Sequence, residues 1–288
     1  MNNRISPLSG SHIMPFLTAT DYLVSGEKFE LYHDPDWDML LTVPQPENLN
    51  PYYESENYQP HQHHSHNWLN VLYNLVRNRS YRYKLSLIKK YHPKARNILD
   101  YGTATGEFLH YLSQKKIEVW GVEPNNKARK SANKLLNNKV KASIEEINRN
   151  FDVISLWHVL EHLPQPDKVI EKLKTKLTPE GILIIAVPNF KSHDAQHYGS
   201  YWAAYDVPRH LWHFSPHAVN MLFDKYHMQV IAQEPLFFDS FYVSLLSEQN
   251  RHGNKRFLTA LFNGLISNIK AVKTGQYSSL IYIVKKQT

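Results

Sequence analysis

From Asn97 onward the chain alternates strand-sized apolar runs with amphipathic helical stretches, and that order leaves few folds open. Asn97–Tyr101, Glu118–Val122, Val140–Ala142, Phe151–Trp157 and Ile182–Val187 read as strands, with helices over Gly106–Lys115, Asn125–Asn137 and Asp167–Leu177. Strands separated by whole helices return parallel to one another, so the pattern predicts an α/β protein with a doubly wound parallel sheet. Two more strand candidates, Gln229–Gln233 and Leu280–Val284, close the chain, with a basic helical insertion over about 248–273 between them. Upstream, Trp68–Tyr91 carries a helical period broken near Arg79-Ser80 and predicts two helices. The first 60 residues are rich in Pro, Asn, Tyr and Asp, with short strand-like runs at Lys28–Tyr32 and Met39–Val43. They predict an irregular N-terminal appendage over 1–66, ahead of a main domain at 67–288.

The remaining composition narrows the class. With 288 residues, 42% of them hydrophobic, the chain can bury a sizeable core, which excludes disorder and small stapled scaffolds. It has no cysteine, so disulfides, thiolate zinc sites and cysteine nucleophiles are excluded, and the cytoplasm is the expected location. The start MNNRISPLSGSH has no apolar h-region, and the longest apolar run, Ile182–Pro188, is strand-sized; neither a signal peptide nor a spanning helix is expected. A net charge of +7 suits nucleic acid, an anionic lipid surface or a plain basic enzyme. The four histidines of HQHHSH at 61–66 read as a solvated linker, and no metal site is assigned.

The clearest constellation is NILDYGTATGEFL, an apolar strand ending in Asp100, then Gly102, then Gly106 opening a helix. Gly102 permits a tight turn and close backbone approach to a ligand. The next strand ends in Glu123, 23 residues after Asp100, near the offset at which an acidic side chain reaches ribose hydroxyls. A dinucleotide loop would read G-x-G-x-x-G and set a pyrophosphate on the helix N-terminus. Here Ala104 takes the second glycine's place and Glu107 follows the loop, which disfavours phosphate. Acidic groups without phosphate chemistry suit S-adenosylmethionine, whose ammonium, sulfonium and ribose all welcome acceptors.

These residues resemble the class I S-adenosylmethionine-dependent methyltransferases: D-x-G-x-x-x-G at Asp100, Gly102 and Gly106, the acidic second strand at Glu123, then FDVISLWHVLEHL, a Pro-bounded helix and GILIIAVPN. The likeness covers roughly residues 68–234. It is closest to small-molecule methyltransferases akin to the ubiquinone-biosynthesis O-methyltransferases, whose fourth strand runs into a segment like Leu160-Glu161-His162. It implies a Rossmann-like seven-stranded sheet and S-adenosyl-L-methionine as cofactor. Carried over by position, Asp100, Gly102, Thr103, Ala104 and Gly106 would surround the methionine part, and Glu123, Pro124 and Asn125 the ribose. Ala142, Ser143 and Ile144 would flank the adenine, Trp157 and His158 would line the methyl-donor mouth, and Lys84 would pair with the cofactor carboxylate. Tyr52, Tyr53 and Tyr58 look like a lid over the cofactor. Ala104, where the family usually has Gly, is the departure.

His158-Val-Leu-Glu161-His162 also matches the inverted zinc-protease motif, but Pro164 and Pro166 cut off the long helix that motif needs. In relatives, side chains at these positions orient substrate; His162 also reads as a structural histidine, and His158 is the better pocket candidate. The aromatic and His-rich stretch 198–219 is the predicted substrate wall, with a W-x-x-x-D-x-P-R-H-L pattern at Trp202, Asp206, Pro208, Arg209, His210 and Leu211. There Arg209 would clamp an anion, His210 or His213 take a proton, and Asp206 join the catalytic set of His158, His162, Arg209 and His210. The expected reaction is methyl transfer to a small molecule, most readily at oxygen, because the Asn/Asp-Pro-Pro-aromatic motif of amine methylation is missing. An RNA-binding protein or RNA methyltransferase, motivated by the charge, and an inactive cofactor-binding module, motivated by Ala104, are the competing readings. The partner is a small-molecule substrate with no stable nucleic-acid partner, the protein is a monomer or homodimer, and the basic helix suggests a transient membrane-surface contact. Some relatives look as though their appendage holds zinc on two Cys-x-x-Cys pairs; Ser9-x-x-His12 and His33-Asp34-Pro35-Asp36 stand there in this chain, poor zinc ligands that predict a metal-free appendage held by aromatic and proline packing.

Overall fold

The computed structural model describes residues 4–53 and 68–287. In chain order it runs β1 (Arg4–Ile5), β2 (His12–Thr20), β3 (Lys28–Asp34), β4 (Met39–Val43), α1 (Trp68–Tyr91), β5 (Asn97–Tyr101), α2 (Glu107–Ser113), β6 (Glu118–Val122), α3 (Asn126–Leu136) and β7 (Val140–Lys141). It continues through β8 (Phe151–Trp157), α4 (Pro166–Lys176), β9 (Leu177–Pro188), α5 (His193–Tyr198), β10 (Trp212–His213), α6 (Pro216–Asp224), β11 (Met228–Pro235), α7 (Asp239–His252), α8 (Phe257–Thr274) and β12 (Ser279–Lys286). Seven strands form one sheet in the order β11-β12-β9-β8-β5-β6-β7, the α/β architecture expected. β5 runs parallel to both β6 and β8, so the strand order reverses around β5. Ligands of open α/β sheets bind at the carboxyl ends of strands where that reversal occurs.

The chain folds as two compact units, each built from separated segments: Met1–Gln59 with His158–Asp167 and Ala186–Tyr282, and Pro60–Trp157 with Lys168–Ile185 and Ile283–Thr288. In the first, the appendage is not irregular. β1, β2, β3, β4 and β10 form an antiparallel sheet. β2 escapes sequence reading because Pro15 interrupts it, and Pro15 sits at a register shift of the β2–β3 ladder, where a proline is tolerated. Leu31, Leu40, Trp202, Tyr205 and Val207 are buried together in this unit's core, so much of the stretch predicted as a substrate wall is packing. The Asp194 carboxylate pins that stretch by accepting hydrogen bonds from Trp202 Nε1 (2.8 Å), Ser267 Oγ (2.7 Å) and Ser278 Oγ (2.7 Å). The turns around Ser9 and Asp34 are joined by hydrogen bonds of Ser9 to Asp34 (2.5 Å) and of Ser11 to Asp36.

Three further boundaries differ from expectation. Trp68–Tyr91 is one helix, since Arg79-Ser80 contains neither Gly nor Pro to break it. The basic insertion is two helices, because Gly253 adopts a left-handed φ of 74° and ends α7. β9 begins at Leu177, five residues before the apolar run, because its first residues extend the strand through Pro179 and Gly181. Among the described residues, no helix is long and apolar enough to cross a membrane.

Candidate functional site

The second unit carries the glycine cradle. β5 ends in Asp100, nearly fully buried, whose Oδ1 accepts from Ser155 Oγ on β8 at 2.6 Å. Burial pushes the Asp100 carboxyl up to about 6, against the hydrogen bond from Ser155 and the charge of Lys84. The chain then turns through Gly102 and Gly106, both at φ 78°, a left-handed backbone that glycine adopts freely. At Gly106 a Cβ would also lie 2.9 Å from Ala132 Cβ, so the glycine admits α3 against the start of α2. Ala104, at φ 49°, has the same left-handed backbone without that freedom.

Glu123 is built into this loop: its carboxylate accepts the Ala104 N–H at 2.8 Å and the Asn125 N–H at 2.9 Å. Burial raises its pKa, opposed by those two N–H groups and by Arg129. The carboxylate is therefore aimed by the loop itself and still has lone pairs for a diol. Glu107, expected to repel phosphate, is instead countered by Arg77 and Tyr81, each 3.1 Å away. The case against a phosphate therefore rests on Glu123 and on the left-handed Ala104. Lys84 Nζ stands 4.2 Å over the Trp157 ring and 5.2 Å from that of Phe108. Among the described residues, Trp157 Nε1 is a buried donor with no hydrogen-bond partner, a demand a ligand acceptor would meet.

Other residues carried over to the cofactor have local employment. Asn125 caps α3, its Oδ1 accepting the N–H groups of Lys127 and Ala128 at 3.0 Å each. The carbonyl of Pro124 accepts from Arg129, and the N–H groups of Ala142 and Ser143 both donate to Glu146. Thr103 packs against β6, where Gly121 leaves the room: a Cβ there would meet Thr103 Cγ2 at 2.8 Å. Gly121 was not singled out from sequence, although a glycine inside a strand signals such an approach. Tyr58 and the histidines of 61–66 lie outside the described residues.

The first unit gathers the predicted catalytic side chains. His158 has a left-handed φ of 55°, an outlier for a non-glycine residue. Its Nε2 lies 2.9 Å from Asp239 and its Nδ1 3.3 Å from Glu161. Burial works against charge on the ring, but the two carboxylates outweigh it and push His158 up to about 10, so at neutral pH it is an imidazolium and no base. Burial would raise Glu161, yet the neighbouring His158 holds its carboxyl below the ordinary range, and among the described residues its Oε2 has no hydrogen-bond partner.

His162 is the opposite case. Burial, then the nearby His210, lower it to about 4. Its Nδ1 lies 3.0 Å from the Arg209 carbonyl and 3.0 Å from Tyr53 Oη. The carbonyl fixes the proton on Nδ1 and leaves the Nε2 lone pair as acceptor. His210 is oriented alike, its Nδ1 2.8 Å from the Ala204 carbonyl. Ligand atoms of Glu161, His162 and His210 fall within 4.8 Å of one another, a set that could relay a proton or hold a cation. His213 is bonded to Thr42 Oγ1 at 3.0 Å and lies well below its usual pKa through burial and His210, which marks it as structural.

Arg209 corrects the sequence reading most. It is 1% exposed, with its guanidinium 2.8 Å from Asp21 and 2.7 Å from Asp206, and it also donates to the Tyr52 carbonyl at 3.2 Å. It is an internal clamp between the appendage and the loop, and Asp206, at a left-handed φ of 36°, is one of its jaws.

A family model described as "Methyltransferase domain" matches residues 73–233, more than half of the chain. The chain belongs to the methyltransferase family. Solved structures agree in fold. The magnesium protoporphyrin IX methyltransferase of Synechocystis PCC 6803, solved with bound S-adenosylhomocysteine, aligns at a TM-score of 0.51 with 11% identity, over 78% of this chain and 90% of that one. An O-methyltransferase of a trans-AT PKS multienzyme of Brevibacillus brevis, in complex with S-adenosyl-L-homocysteine, aligns at 0.50 with 13% identity over 76% of each chain. Against the mitomycin 7-O-methyltransferase the TM-score is 0.46 with 13% identity over 67% of this chain, which spans about half (49%) of that protein's length. No curated protein matches the sequence.

In this methyltransferase the residues missed by sequence reading are partners rather than principals: Ser155 for Asp100, Asp239 for His158 and Asp21 for Arg209. None sits in a motif. An acidic residue buried in a turn, as Asp21 is, leaves no mark in a single sequence beyond its charge.

Proposed function

We propose that this methyltransferase moves the methyl group of S-adenosyl-L-methionine to an oxygen of a small-molecule acceptor. The observation that carries the reading is the Glu123 carboxylate tied to the Ala104 N–H, an anionic acceptor beside the glycine loop that favours a ribose diol and rejects phosphate. Asp100, Gly102 and Thr103 are the groups for the amino-acid end of the cofactor, Lys84 for its carboxylate, and the unsatisfied Trp157 Nε1 for an acceptor atom near it. Two neighbours with TM-scores of 0.50 and 0.51 were solved with S-adenosylhomocysteine, and one is an O-methyltransferase, which supports the reading. Once bound, the cofactor supplies a sulfonium methyl for in-line displacement, where alignment is worth roughly 7–11 kcal/mol.

Titration calorimetry with S-adenosylmethionine and S-adenosylhomocysteine tests the reading; heat of binding is expected, and none from a folded protein sinks it. Hydroxyl acceptors are then screened by release of S-adenosylhomocysteine, and a product methylated at carbon or nitrogen overturns the oxygen assignment.

A further inference from the structure

α8 is amphipathic the wrong way round for a helix that serves only its own domain. The face it buries is a stripe of small residues, Ala260, Gly264, Ser267 and Ala271. A Cβ on Gly264 would lie 2.8 Å from the Phe241 ring and 3.0 Å from the Phe241 Cα, so the stripe exists to bring α8 close to α7. Ser267 donates to Asp194 at 2.7 Å and Asn263 to Tyr198 at 2.9 Å, which fixes the helix's rotation. Its large residues therefore face outward by construction. Leu258 is 84% exposed and Val272 73%, and Leu261, Phe262, Leu265 and Ile269 fill the stripe between them. A contiguous apolar face of this kind marks a surface with a partner.

The charges around it decide which partner. Arg251, Lys255 and Arg256 precede the apolar stripe, Lys270 and Lys273 flank its C-terminal end, and all five are exposed. From Gln249 to Thr288 there is no Asp or Glu. A second copy docked through this face about a twofold axis would set cation against cation with no acidic residue on the helix to answer. Lys255 and Arg256 also sit at the helix N-terminus, where cations oppose the macrodipole, so they do not serve helix stability. An anionic lipid surface satisfies both features, taking apolar side chains below its headgroups and cations among its phosphates.

We propose that α8 is a membrane-surface docking helix, lying in the plane of an anionic bilayer with Leu258, Leu261, Leu265 and Ile269 inserted. The inference stands independently of the acceptor and cofactor assigned above.

Flotation of the full chain with phosphatidylcholine vesicles, with and without phosphatidylglycerol, tests it. The protein is expected to float with the anionic vesicles alone, and the Leu258→Gln/Leu261→Gln/Leu265→Gln variant to partition at least about tenfold more weakly. Because the chain has no cysteine, Leu258→Cys can carry a single environment-sensitive dye. Its emission should shift to the blue on anionic vesicles, while the same dye at Leu135→Cys, an exposed site on α3, should not respond. The dye result decides the matter if the triple variant fails to fold. Absence of partition and of any shift overturns the proposal. So does a concentration-dependent dimer in light scattering that the triple variant abolishes while vesicles bind neither protein.

Discussion

In the glycine cradle, the loop and its acidic partner lie within one strand-helix-strand stretch, Asp100 to Asn125, and the decisive contact joins Ala104 to Glu123. In the histidine network, Arg209 meets Asp21 across 188 positions of chain, and His158 takes its charge from Asp239 on α7. The two regions also hold charge differently. The cradle raises carboxyl pKa values by burial, keeping Asp100 and Glu123 poised for an uncharged or cationic ligand, whereas the network pairs each buried charge with an opposite one inside the protein. The cradle thus keeps its carboxylates open to a ligand, whereas the network commits its buried charges mainly to one another.

That contrast breaks most sharply on backbone. Gly102→Val forces a β-branched residue into a left-handed conformation and should abolish cofactor binding in calorimetry, with the protein still folded. His210→Ala should spare it. Equal loss in both variants would erase the distinction between cradle and network.

Next in size is the internal clamp. Arg209→Ala leaves Asp21 buried and unpaired, and breaking such a pair costs about 3–5 kcal/mol. Arg209→Lys should not rescue it, because a single ammonium cannot reproduce a guanidinium that bonds Asp206 through both Nε and Nη2. Denaturant titration reads this directly. If Arg209 instead clamped a substrate anion, Asp21→Asn would leave stability intact and raise only KM.

How much of this was legible in the sequence follows from the same contrast. The parallel strands β5, β6, β7 and β8, the cradle and Glu123 were readable because each is a short pattern whose physics is local: apolar alternation, a glycine needing a left-handed turn, an acid at a strand end. The appendage sheet was not, since Pro15 breaks the strand signature of β2 and its ladder partners are set by tertiary pairing. Arg209 and Asp206 were found as residues and misread in role, because a motif names a side chain without showing that Asp21 waits for it. Asn125 illustrates the reverse error: its position beside Glu123 suggested a ligand, but Asn is also the residue that caps α3.

A smaller effect separates the two histidines of the network by pH. His158 is raised in the fold from 6.5 to about 10, so the folded state favours its proton. That contribution to stability is fully present below pH 6.5 and disappears as pH rises through 10. Asp239→Asn removes one of the two carboxylates responsible, so the variant should lose less stability than the parent between pH 7 and 10. Other groups titrate equally in both proteins and cancel in the comparison. Identical slopes would show that Asp239 does not hold the proton.

The smallest effect tests the cradle's one irregular residue. Ala104 stands at φ 49°, where an L-residue with a Cβ is strained by roughly 1–2 kcal/mol and glycine is not. Ala104→Gly relieves that strain but gives the unfolded chain more freedom, a loss of about 0.4–1 kcal/mol, so the net change should run from neutral to about 1.6 kcal/mol stabilising. The Ala104 N–H that binds Glu123 is backbone and survives the change, so cofactor affinity should hold within a few-fold. An inactive enzyme crippled by Ala104 would behave otherwise, gaining turnover or affinity with glycine by orders of magnitude. The methyl group at 104 is a conformational cost that the Glu123 contact offsets, and removing it should change stability slightly while leaving the binding chemistry as it is.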